Sequence, residues 1–178
     1  MKKIILFAAV LFASFSVMNV QAQTTTSDQG EATLTLKLDA VQSIVVSGDV
    51  LIHYTDADDY ANGKAGETAT TVTVTSAGGF AVRAEADDLK DGSYTIASST
   101  IAVKAEGAGN ADGATYATDA TLEKVGEGKA ALITSGVGGV NKKYSVTYKG
   151  AGDNAYMDRY NEGGREYTTT VLFTVSAS

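Results

Sequence analysis

The sequence predicts an all-β fold, an antiparallel, immunoglobulin-like β-sandwich of about eight to ten strands. Three observations carry this reading. Apolar residues recur at every second position in run after run, the spacing that lines one face of a half-buried strand. No stretch keeps an apolar period of 3.6 residues, the mark of an amphipathic helix. Most of the 19 glycines fall between the apolar runs, where chain reversals need them.

In the first run Ala32, Leu34, Leu36 and Leu38 alternate with Thr33, Thr35 and Lys37, which reads as a half-buried strand over residues 31–38. Runs at 43–46 and 50–54 follow, split by the turn residues Ser47-Gly48-Asp49. Asp56 is placed to cap a short helical turn over 57–61, which Asn62-Gly63 stops. Val72 and Val74 then alternate with Thr71, Thr73 and Thr75. After Gly78-Gly79, Phe80, Val82 and Ala84 alternate with Ala81, Arg83 and Glu85. With the glycine pair supplying positive φ, residues 71–85 read as a hairpin. Further strands are expected at 94–97, 100–105, 130–134, 144–149 and 167–177. In the last, Tyr167, Thr169, Val171, Phe173 and Val175 share a face. Tyr144, Val146 and Tyr148 also share one and are core candidates. Residues 153–160 allow one more helical turn.

The start of the chain reads as an export signal. Lys2 and Lys3 precede an apolar run over 4–17, and Val20-Gln21-Ala22 offers the small residues read by a signal peptidase, so residues 1–22 are expected to be removed. The run is short for roughly 30 Å of hydrocarbon, and polar Asn19, Gln21 and Gln23 follow at once. Residues 23–30 are a polar, flexible leader, and 31–178 form a single β-sandwich domain. The expected location is the periplasm, the cell surface or the exterior. Cleavage leaves 156 of the 178 residues, with twelve basic against 21 acidic side chains, a net charge of −9. That charge repels phosphate backbones and anionic lipid, which disfavours nucleic-acid partners and membrane insertion of the mature chain. With no cysteine in the sequence, neither a disulfide nor a lipoprotein anchor is available.

Chemistry is sparse. His53 is the sole histidine; it lies in an apolar run, with no Gly-x-Ser-x-Gly elbow in the chain to serve a catalytic triad. Gly126-Glu127-Gly128-Lys129 has Glu123 where a phosphate-binding loop needs its first glycine, and reads as a turn. Asp56, Asp58 and Asp59, Asn110 to Gly113, and Asp153-Asn154 are acidic loops whose oxygens suit calcium, without the twelve-residue spacing of a dedicated loop. Paired carboxylates for glycoside hydrolysis would have to come from these same loops. No catalytic residue, cofactor or metal is assigned, and the chain reads as a non-enzyme. The nine tyrosines suit core packing, interfaces or sugar stacking. Tyr156 and Tyr160, four apart in a polar stretch, are the surface candidates, while the absence of tryptophan argues against a sugar platform.

Three stretches carry a resemblance: Ser76-Ala77-Gly78-Gly79-Phe80-Ala81-Val82, the run from Lys142 to Lys149, and the closing Tyr167 to Val175. With the alternating leucines, they make the chain similar to small secreted β-sandwich proteins of Gram-negative bacteria, loosely of the spore-coat-U-like or pilin-like kind. The resemblance implies a surface or fibre-type structural or adhesive subunit that works by protein–protein contact with itself or other surface proteins. Strand addition would use Ala32, Leu34, Leu36 and Leu38 of one copy in the next. Two alternatives stay open. Residues 31–38 pair within their own sandwich, or the chain is a module binding an extracellular glycan through Tyr156, Tyr160 and loop carboxylates.

Overall fold

The computed structural model describes residues 31–127, 130–160 and 164–178. The expected signal peptide and leader lie outside these residues. Alternation becomes antiparallel strand in most of the expected places. In chain order the elements are β1 (Gln42–Ser47), helix α1 (Ala57–Asn62), β2 (Thr70–Ser76), β3 (Phe80–Ala86), β4 (Leu89–Asp91), β5 (Tyr94–Ile96) and β6 (Ile101–Gly107). Then come β7 (Ala114–Tyr116), β8 (Ala120–Thr121), β9 (Ile133–Ser135), β10 (Gly139–Gly150) and β11 (Val171–Ala177), with 3-10 turns at Ser98–Thr100 and Met157–Arg159. Among the described residues there are thus eleven strands, above the expected eight to ten, because β4, β7 and β8 are too short to show an alternating pattern. No helix among these residues is long and apolar enough to cross a membrane.

One sheet has the order β1-β2-β10-β6-β8, a second β11-β3-β9-β7, and β4-β5 form a separate two-stranded ribbon. All these strand pairs are antiparallel. The two larger sheets share one core. Val72 and Val74 of β2, Val103 of β6 and Tyr144 and Val146 of β10 pack in one cluster with Phe80 and Val82 of β3, Ile133 of β9 and Phe173 of β11. Fully burying such a side chain is worth about 1.5–3 kcal/mol. With no disulfide present, this cluster is the main source of stability. The Phe80 and Tyr144 rings meet edge to face with centroids 6.3 Å apart, and Tyr144, Val146 and Tyr148 face inward as their spacing predicts.

Residues 71–85 correct the sequence reading. β2 and β3 are not a hairpin. β2 pairs with β1 on one side and β10 on the other, while β3 pairs with β11 and β9. The link between them crosses from one sheet to the next. Sheets pack about 10 Å apart, which a link of three extended residues just spans. Neither Gly78 nor Gly79 takes a positive φ. Gly79 is needed for close approach instead, since a Cβ there would stand 2.7 Å from Ser178 Oγ and 3.0 Å from the Ser135 carbonyl.

Two other expected strands are not formed. Residues 31–41 have no regular secondary structure, and the chain divides into two units between Lys37 and Leu38. β1 pairs along β2 from Gln42↔Ser76 to Ser47↔Thr71, and β10 covers the other edge of β2. Residues 50–54 run without a strand ladder, although the Glu67 N–H bonds the Leu51 carbonyl at 2.9 Å. Helix α1 forms as expected, with Asp56 Oδ1 accepting from the Asp59 N–H at 2.9 Å and Gly63 closing it at φ 77°. β10 is longer than expected because a bulge between Gly139 and Lys142 lets it continue past Asn141, at φ 52°.

The Tyr144 hydroxyl is buried without a hydrogen-bond partner among the described residues. Tyr144→Phe should therefore leave stability unchanged or raise it, since a buried unmet hydroxyl costs about 1–3 kcal/mol. Phe80→Ala should cost about 3–5 kcal/mol. Urea denaturation measures both; a Tyr144→Phe variant destabilised as much as Phe80→Ala would contradict this core.

Candidate functional site

The leucine run is the first candidate. Leu34 is 94 %, Leu36 78 % and Leu38 80 % exposed, and Ala32 and Val41 are exposed with them. Single apolar side chains on a surface are ordinary, whereas three leucines at alternate positions of one stretch make a concentrated apolar exposure.

The tyrosines behave differently from the expectation. Tyr156 is only 9 % exposed, so it is no surface platform. Its hydroxyl donates to Thr100 Oγ1 at 2.8 Å and accepts from the Ala151 N–H at 3.2 Å. Its ring meets Tyr54 edge to face at 5.3 Å, and Tyr54 meets Tyr60 at 5.1 Å. The Tyr54 hydroxyl donates to the Ala151 carbonyl at 2.8 Å, and burial pushes its pKa up to about 12. This trio braces α1 against the end of β10, where a Cβ on Gly150 would collide with the Tyr54 ring. Tyr156 is thus a brace, and Tyr160, 62 % exposed, stands apart from it as a surface residue. Its neighbours 161–163 lie outside the described residues.

In the acidic loops the Asp56 and Asp59 carboxylates are taken up by their own fold. Asp56 caps α1. Asp59 accepts from the Thr55 N–H and from Lys64 Nζ, at 2.9 and 2.8 Å. The Lys64 ammonium, then the Thr55 N–H, hold its pKa down to about 2. Asp88 pairs with Lys124 at 2.9 Å and accepts the Ser98 N–H; Lys124 first and Ser98 second lower its pKa. Asn110 donates to the Val140 carbonyl, and Asp153 and Asn154 take positive φ while their N–H groups bond back to Ala61 and Tyr60. Among the described residues no three acidic, histidine or cysteine side chains gather into a metal-holding group. His53 is exposed. Of the glycine-rich 126–129 stretch, Gly128 and Lys129 lie outside the described residues, and Gly126 turns at φ 89°.

Two features escaped the sequence reading. Lys142 is buried beside the β10 bulge, its ammonium donating to the Asp112 carbonyl at 2.8 Å. A groove of about 380 Å³ lies along β3, with Ala84 in its wall and Val103 of the other sheet on its lining. No protein-family model matches the chain, and no curated protein matches it either.

The Asp59–Lys64 pair makes a prediction in acid. A carboxylate whose pKa is lowered by folding stabilises the fold above its unfolded value of about 4. That contribution is lost as pH falls through the folded value of about 2. Wild-type and Asp59→Asn proteins should differ in urea midpoint at pH 5 and converge towards pH 2. An equal gap at both pH values would show that the ion pair contributes nothing.

Proposed function

We propose that this chain is an exported, non-enzymatic structural or adhesive subunit of the cell surface, working by protein–protein contact. In this reading an immunoglobulin-like sandwich presents residues 31–38 as a strand for another sheet to accept, with a second copy as the partner. The resemblance to spore-coat-U-like and pilin-like domains is part of the same reading. So is export to the periplasm, the surface or the exterior through residues 1–22.

The observation that carries it is the exposure of Leu34, Leu36 and Leu38 on a stretch outside every sheet. Strand addition satisfies such a segment twice. Its backbone groups gain ladder partners, and its alternate side chains gain a core. The glycan alternative loses support, because Tyr156 is buried and Tyr160 alone remains of its two aromatics.

Residues 23–178 should form oligomers whose size rises with concentration over a hundredfold range in light scattering. The double substitution Leu34→Asp, Leu36→Asp should abolish them and leave the urea midpoint unchanged, since these side chains add nothing to their own core. Pairing within the sandwich predicts instead a loss of about 1.5–3 kcal/mol per leucine. A strictly monomeric wild-type protein would end the assembly reading.

A further inference from the structure

The two larger sheets end in edge strands of unequal kind. One end of each closes on a very short strand, β8 of two residues and β7 of three. The other ends are β1 of six residues and β11 of seven, which lie beside each other. Long edges are normally blunted by charge, proline or a bulge, because bare backbone groups accept another strand. β11 has none of these. Val171 to Ala177 carries no charged residue and no proline, and its register along β3 runs unshifted from Val171↔Ala86 to Ala177↔Phe80. On the β3 side the Ser178 N–H donates to the Gly79 carbonyl at 3.2 Å, and backbone groups alternate sides along a strand. Even-numbered residues of β11 therefore bond to β3, while Val171, Phe173, Val175 and Ala177 turn their N–H and carbonyl groups the other way. No hydrogen bond among the described residues meets them there. On the core-facing side of the strand Phe173 is buried, but Val171 and Val175 are only half-buried.

We infer that β11 is a self-pairing edge, along which two copies join antiparallel about a two-fold axis through Thr174. Centred there, the whole strand is used: Val171 meets Ala177 of the second copy, Phe173 meets Val175, and Thr174 meets Thr174. The two four-stranded sheets become one. Three properties select a second copy as the occupant. A two-fold axis sets any charge at the middle of a strand against its like, and this strand carries none in a chain of net charge −7. Both strands are already formed, so pairing avoids the roughly 1–2 kcal/mol per residue that ordering an irregular segment costs. The inward side chains of the second copy extend the core past Val171 and Val175. This contact uses none of residues 31–38 and goes beyond the assembly reading above.

With no native cysteine, Thr174→Cys reads the contact directly. Thr174 is exposed, and it faces its copy in a non-hydrogen-bonded pair with Cα atoms about 4.5 Å apart, within reach of a disulfide. On oxidation Thr174→Cys should form linked dimers well ahead of Thr147→Cys, on the exposed face of β10. Thr174→Lys and Thr174→Asp should each weaken self-association by up to about fivefold, and an equal mixture of the two should restore it. The Leu34→Asp, Leu36→Asp variant separates the two contacts. Without growth by strand addition it should stop at a dimer that still links through Thr174→Cys. If that variant is monomeric and Thr174→Cys links no faster than Thr147→Cys, the β11 contact is wrong, while oligomers of the wild-type protein would keep the assembly reading. If the wild-type protein grows no further than a dimer that links through Thr174→Cys, the β11 contact stands and strand addition falls.

Discussion

The compact unit is organised around β10 and the ring of Tyr144. This strand pairs with β2 along one edge and with β6 along the other, so it is the seam of the five-stranded sheet. Its inward face delivers Tyr144, Val146 and Tyr148 in succession. Tyr144 meets Phe80 of the opposite sheet and Tyr116 beside it, both at centroid distances of 6.3 Å. Position is set by packing of this kind, because no disulfide ties the two sheets together. The glycines follow from the same constraint. A Cβ on Gly138 would stand 2.4 Å from the Ser76 carbonyl, so the crossover between sheets can lie close to the start of β10 only if that position is bare.

Much of this architecture was legible in the sequence, and the failures have physical causes. The parity of Tyr144, Val146 and Tyr148 predicted their burial, and Asp56 and Gly63 marked the ends of α1. Period alone says that a strand has one buried face, without saying which strand lies beside it. That is why residues 71–85 read as a hairpin: two strands joined by a short glycine link look the same whether they pair or face one another. Strands of two or three residues such as β7 and β8 owe their geometry to their neighbours and leave no pattern of their own.

The candidate site was half legible. The leucine alternation at 31–38 was visible, and the lack of regular secondary structure there was not, because an alternating pattern becomes strand only with a neighbour to pair with. Tyr156 looked like a surface residue because its neighbours Asn154, Asp158 and Arg159 are polar, yet the partners that bury it, Tyr54 and Thr100, are far away in sequence. Lys142 shares the inward parity of Tyr144 and Val146, so its burial was available to the same rule that placed those residues. The groove beside Ala84 had no signal at all, since it arises where β9 ends early.

The pairing of β11 with β3, from Val171↔Ala86 to Ala177↔Phe80, has a consequence for the time course of folding. β3 is made well before β11, and half of its ladder must wait for the far end of the chain. Non-local antiparallel pairings of this sort fold on millisecond to second timescales, slow by the standards of small domains. During that interval one edge of β3 is unpaired while the leucines at 34, 36 and 38 are exposed as well. A nascent copy is therefore stickier than a finished one. Whatever environment it matures in has to keep neighbouring chains apart until the last strand is in place.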